Sequence, residues 1–100
     1  MINITKESFE AEIEKCDRLA VIDLYADWCG PCKLLAPIME ELEREYPDVK
    51  FCKINVDEEP ELAGEYGVFS IPTLVVLKNG KVSRKMTGAR PKEKILDLFN

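Results

Sequence analysis

The sequence predicts an α/β fold, a mixed sheet covered by helices on both faces. Three observations lead there. Strand-like apolar runs alternate with helix-period patterns over the first two thirds of the chain. Asn79-Gly80, a dipeptide suited to the positive φ angles of a tight type I′ turn, then joins two strands into a hairpin. A final amphipathic helix, opened by Pro91, carries Ile95, Leu98 and Phe99 as its apolar stripe.

Taken in order, Ile2 to Ile4 predicts a short strand, and about Lys6 to Lys15 an amphipathic helix with Phe9 and Ile13 on one face. Leu19 to Tyr25 reads as a buried strand, apolar on both faces except for Asp23. After Cys29 the period becomes helical, with Leu35, Ile38, Met39, Leu42 and Tyr46 on one face and Pro37 as a site for a kink. Val49 to Val56 predicts a second buried strand, and Glu59 to Tyr66 a short helix facing inward through Leu62 and Tyr66. The hairpin strands are Thr73 to Lys78 and Lys81 to Thr87.

One hundred residues without a repeat, linker or low-complexity stretch predict a single domain over residues 1–100. The composition, 46% hydrophobic and 33% charged, is that of a soluble globular protein, and apolar runs such as Leu74 to Leu77 are too short to cross a bilayer. No membrane span is expected. The start, Met1-Ile2-Asn3-Ile4-Thr5, lacks the basic and apolar regions of a signal peptide, so a cytoplasmic, reducing compartment is expected. A net charge of -5 with no basic cluster argues against a nucleic-acid partner.

Of the four cysteines, Cys29 and Cys32 form a Cys-x-x-Cys pair, while Cys16 and Cys52 stand alone. The pair falls where a strand gives way to a helix. Unpartnered N–H groups and the positive end of the helix dipole favour a thiolate at Cys29, the expected nucleophile. Cys32, on the same face one turn inside and better shielded, is the expected resolving thiol. Pro31 lacks an N–H and fixes φ near the helical value, which stiffens the loop. The alternatives are a zinc half-site and a structural disulfide. Zinc needs two further ligands, the chain has no histidine, and Cys16 and Cys52 form no second Cys-x-x-Cys; no metal is expected. So short a disulfide loop gains little from closure. Asp23, flanked by apolar residues, reads as a buried carboxylate with a raised pKa, available as a proton acceptor; the plainer reading is a solvent-facing strand residue.

At Trp28-Cys29-Gly30-Pro31-Cys32-Lys33, preceded by Val21-Ile22-Asp23-Leu24-Tyr25-Ala26, the sequence resembles the thioredoxin family. The resemblance continues through Pro37, Lys53 to Asp57, Tyr66-Gly67-Val68, Ile71-Pro72-Thr73, Asn79-Gly80 and Gly88. It implies the thioredoxin fold: a central mixed five-stranded sheet flanked by four helices, in the order β-α-β-α-β-α-β-β-α. It also implies a protein-disulfide reductase and electron carrier with no bound cofactor beyond a redox-active Cys29–Cys32 disulfide. The pair Gly30-Pro31 resembles the reductant type. By the same resemblance Asp23 lies behind Cys32 and deprotonates it, Lys53 tunes Asp23, and Pro72 is a cis proline facing the cysteines. The substrate rim is then Trp28, Gly30, Pro31, Val56, Ile71, Pro72, Gly88 and Ala89. Expected partners are disulfide-bearing target proteins and a thioredoxin reductase, either an NADPH-dependent flavoprotein or a ferredoxin-linked enzyme, with the chain itself a monomer.

Two departures stand out. Tyr25 takes a position where the family usually has tryptophan, and Phe69-Ser70 replaces the common Arg-Gly or Met-Ser; both are expected to bear on partner choice more than on chemistry. Two rival readings remain within reach of the residues. One is an interaction module that uses the apolar rim without redox turnover; the other is an isomerase or oxidase.

Overall fold

A strand buried on both faces belongs at the centre of a sheet, and β2 (Ala20–Tyr25) is there. In a computed structural model, which describes residues 1–99, the sheet runs β1-β3-β2-β4-β5. Here β1 is Ile2–Asn3, β3 Lys50–Asn55, β4 Thr73–Lys78 and β5 Lys81–Thr87. Pairs β1/β3 and β3/β2 are parallel, and β2/β4 and β4/β5 antiparallel. This is the mixed sheet the alternation predicts.

The period of two sorts the strand side chains. Ile22, Leu24, Cys52, Ile54, Val75 and Leu77 face one side, where Ile4, Ile13 and the helix α2 (Pro60–Glu65) cover them. Val21, Phe51, Leu74 and Val76 face the other, under Leu35, Met39 and Leu42 of α1 (Gly30–Glu45) and Ile95 of α3 (Lys92–Leu96). Asp23 and Lys53 follow the parity of Val21 and Phe51, so both point to the α1 side. Pro37 lies inside α1, which continues through it.

The first helix is shorter than predicted. Only Glu10–Glu14 is regular, and it winds as a π-helix. Thr5 and Ser8 account for the missing turn: the Thr5 N–H donates to Ser8 Oγ at 3.0 Å and the Ser8 N–H to Thr5 Oγ1 at 3.3 Å. Hydroxyls that bind local backbone in this way compete with helical bonding. The last helix is likewise split, α3 passing into a 3-10 turn over Asp97–Phe99.

Two left-handed glycines direct the chain. Asn79 (φ 52°) and Gly80 (φ 78°) make the hairpin turn. Gly67 (φ 65°) ends α2, with its N–H donating to the Gly64 carbonyl and that of Val68 to the Ala63 carbonyl. This paired closure turns Val68-Phe69-Ser70 toward the C-terminal end of β2.

Candidate active site

The strand β2 ends at Tyr25, and a turn closed by the Cys29 N–H donating to the Ala26 carbonyl at 3.2 Å leads into α1. Cys29 is the last extended residue before the helix, with φ -86° and ψ 111°. Its Sγ accepts the N–H of Cys32 at 3.2 Å, the position a serine or aspartate oxygen takes at an ordinary helix start. Gly30 and Pro31 fill the first turn and are exposed. Cys29 and Cys32 are joined as a disulfide with their Cα atoms 5.2 Å apart.

Shielding does not separate the two cysteines as the sequence led us to expect, because each residue is 4% exposed. Their surroundings do. The Sγ of Cys29 is 4.0 Å from the Ile71 carbonyl oxygen on the outer side. Cys32 lines a half-open pocket of about 230 Å³ together with the buried Asp23, the half-buried Tyr25 and Lys53, and the exposed Asp27, Lys33 and Glu40.

Asp23 is 4% exposed, and its Oδ1 has no hydrogen-bond partner. Burial pushes its pKa up to about 7, against the opposing charge of Lys53. Lys53 lies directly beside Asp23 in the β2/β3 register. Its Nζ sits 5.7 Å from the centroid of the Tyr25 ring and forms no ion pair with Asp23.

On the outer side, the Ile71–Pro72 peptide bond is cis. The segment is held by Thr73 Oγ1 donating to the Ser70 carbonyl at 2.7 Å and by the Gly88 N–H donating to the Pro72 carbonyl at 2.7 Å. A shallow hollow of about 170 Å³ opens beside it, lined by Trp28, Val56, Val68, Phe69, Ser70 and Ile71. Of the predicted rim, Trp28, Val56 and Ile71 meet there. Gly30, Pro31, Gly88 and Ala89 lie outside its lining, and Pro72 is buried.

Val68, Asn55 and Asp57, which the resemblance includes without a site role, also belong to the site. The Trp28 indole N–H donates to Asp57 Oδ2 at 2.8 Å, which holds a ring that is 70% exposed. Asp57 is placed in turn by Asn55, whose Oδ1 accepts the N–H groups of Asp57 at 2.9 Å and Glu58 at 3.3 Å. An asparagine at a strand end is a legible signal for such a turn. The two lone cysteines lie elsewhere: Cys52 is fully buried, with its thiol pushed up to about 11 by burial, and Cys16 is half-buried. Among the described residues no three of His, Cys, Asp or Glu are grouped to hold a metal ion. No described helix is long and apolar enough to cross a membrane.

The chain is similar to known proteins over nearly its whole length. The thioredoxin family model matches residues 1–100. Thioredoxin of Bacillus subtilis is 48% identical over 101 aligned residues, covering 100% of this chain and 95% of that protein. Thioredoxin 2 of Chlorobaculum tepidum is 48% identical over 92 residues, 91% of this chain and 84% of its own length. Thioredoxin of Pseudomonas aeruginosa is 41% identical over 96 residues, 95% of this chain and 89% of its own. A whole-chain family match, relatives of this similarity and a half-capped Cys-x-x-Cys pair at a helix start lead to one conclusion: the chain belongs to the thioredoxin family of thiol-disulfide oxidoreductases.

Proposed function

We propose that the chain reduces disulfides of target proteins, with Cys29 as nucleophile and Cys32 as resolving thiol. The Cys29 thiolate attacks one sulfur of the target disulfide; a mixed disulfide forms and the target's other sulfur leaves as a thiolate. Asp23 accepts the Cys32 proton. The Cys32 thiolate then attacks Cys29 Sγ, the second target thiolate leaves, and the target has gained the two electrons that the Cys29–Cys32 dithiol has lost. A reductase returns the pair to the dithiol, and an NADPH-linked flavoprotein or a ferredoxin-linked enzyme fits that chemistry equally.

The observation that carries this reading is the division of the site. Cys29 Sγ lies 4.0 Å from the carbonyl of Ile71, a residue that lines the outer hollow, while Cys32 shares the other pocket with a buried Asp23 whose Oδ1 has no partner. A nucleophile needs access to its substrate, whereas a resolving thiol needs a base. The hollow around Trp28, Val56 and Ile71 would receive the apolar flank of a target peptide, and the free edge of the Ile71-Pro72 segment its backbone. Lys53 would tune Asp23, Pro72 would present the Ile71 carbonyl, and Gly30, Pro31, Gly88 and Ala89 would complete the surrounding rim.

We further infer that the chain works as one domain and as a monomer in a reducing compartment such as the cytoplasm. Two unpaired thiols, Cys16 and Cys52, suit such a compartment. The sheet edges discourage strand pairing, since β1 has two residues and β5 carries Lys81, Arg84 and Lys85.

The test is a Cys32→Ser variant incubated with disulfide-bearing protein. It should accumulate mixed disulfides through Cys29 on non-reducing electrophoresis, and their absence counts against the assigned roles. Asp23→Asn should slow release of the trapped target near neutral pH in protein that retains both thiols; an undiminished rate removes Asp23 from the cycle.

A further inference from the structure

We propose that Tyr25 is a positioning residue for the proton acceptor: its ring holds the Lys53 ammonium and so keeps that charge from pairing with the Asp23 carboxylate behind Cys32. This deepens the reading of Asp23 given above and rests on it.

The backbone creates the problem that Tyr25 resolves. Parallel pairing of β2 with β3 sets Lys53 directly beside Asp23, and both side chains point to the α1 side of the sheet. A lysine next to a buried carboxylate ordinarily forms an ion pair with it, because Coulomb attraction grows as water is excluded. A paired Asp23 would stay ionised and be a poor proton acceptor near neutral pH. The lysine takes neither course open to a free ammonium: it does not pair with Asp23, and it remains half-buried.

Tyr25 supplies the alternative. Two residues beyond Asp23 on the same strand, it projects to the same side and lines the same cavity. Lys53 Nζ is 5.7 Å from its ring centroid, within the roughly 6 Å over which the negative face of an aromatic ring attracts a cation. Because the lysine stem is long and flexible, a partner of this kind decides where its charge rests. Asp23 Oδ1 is consequently left without a donor.

Other charges face the same space. Asp27 follows β2, Lys33 and Glu40 come from α1, and Met1 borders the cavity with its amine held by Glu43 at 3.1 Å. Glu58 bears on the Tyr25 phenol, and Cys32 adds a thiol once reduced. Of these, Lys53 alone is in strand register with Asp23. The upward shift of Asp23 under burial, with Lys53 opposing it, agrees with a lysine held near the carboxylate but off it. The departure at position 25 was expected to act on partner choice. Tyr25 instead lines the cavity behind Cys32 and not the outer hollow.

The experiment follows the Asp23 carboxyl by carbon NMR through a pH titration of the oxidised full chain. Tyr25→Phe and Tyr25→Trp keep a ring and should titrate close to the parent. Tyr25→Leu should lower the Asp23 pKa by about half a pH unit or more, a roughly threefold change in ionisation, as Lys53 moves onto the carboxylate. In a Lys53→Met background the same Tyr25→Leu change should produce no such fall. An equal fall in both backgrounds, or none in either, overturns the proposal, since the ring would then act on water access or not at all. Should Tyr25→Leu lose the parent amide spectrum, Tyr25→Met in both backgrounds replaces it under the same criteria. The titration is read without turnover, so it can fail while Asp23 keeps its catalytic role, which Asp23→Asn tests separately.

Discussion

The Cys32 N–H donates to Cys29 Sγ at 3.2 Å, so the sulfur at the head of α1 caps the helix it precedes. In the reduced protein the same donor and the helix dipole stabilise a Cys29 thiolate. Cys29 should therefore be the first cysteine alkylated by iodoacetamide, with a pH midpoint below the ordinary thiol value of about 8.5. Cys52, with its thiol pushed up to about 11 by burial, should remain unmodified at pH 8. Mapping the modified peptides by mass spectrometry against pH checks both; preferential labelling of Cys52 would contradict the geometry.

Asp23 should make stability depend on pH. Its pKa is raised from 3.8 to about 7 by burial, so between those values the folded chain keeps a proton that the unfolded chain releases. The stability this confers is fully present below about pH 4 and is lost as pH rises through about 7. Asp23→Asn should then gain on the parent as pH rises, by at most about 4 kcal/mol above pH 8, the free energy equivalent of that shift. Urea unfolding of the oxidised proteins at pH 5 and pH 8.5 measures the difference. A gain that is larger at pH 5 would reverse the sign of the argument.

Gly80 packs against the end of the π-helical segment. A Cβ there would lie 2.6 Å from the Glu14 carbonyl oxygen and 3.2 Å from the Glu14 carbonyl carbon, and φ is already +78°. Both obstacles are backbone, which cannot rotate aside. Gly80→Ala should cost roughly 2–3 kcal/mol in chemical denaturation. The folded fraction should retain its thiol chemistry, because the turn is remote from the disulfide.

Phe69 is 99% exposed at the lip of the outer hollow, beside Trp28 and Ile71. An aromatic ring left bare in the free protein has apolar area to bury when a target docks. Phe69→Ser should raise KM for a protein disulfide roughly five- to tenfold, equivalent to about 1 kcal/mol, and leave kcat near the parent value. A small disulfide that cannot reach the ring should be reduced at the parental rate. Loss of activity toward both substrates alike would place Phe69 in folding instead of docking.

Where a local signal suffices, the fold is legible in the sequence. The strands flanking Asn79-Gly80, Thr73–Lys78 and Lys81–Thr87, are legible residue for residue, because a two-residue turn fixes the pairs beside it, Lys78 with Lys81 and Leu77 with Val82; the shift in register between Val76 and Leu77 is not. The apolar face of α1 and the parity of β2 were equally plain, since each follows from the period of its own element. The first helix is shorter than its hydrophobic period predicts because the Thr5–Ser8 hydroxyl turn competes with helix formation through side-chain bonds that such a period does not register.

By itself, then, the sequence determined the order of strands and helices, the cysteine pair at a helix start and the buried carboxylate one strand before it. Only the tertiary structure decided that Cys29 lies beside Ile71 and Cys32 in the pocket of Asp23, and where the charge of Lys53 rests. The reason is physical. Periodicity reports which face of an element is buried, but the choice of Lys53 between Asp23 and Tyr25 depends on the register of β2 against β3 and on which side chains share the pocket beside α1. Neither quantity exists until residues far apart in the chain are brought together.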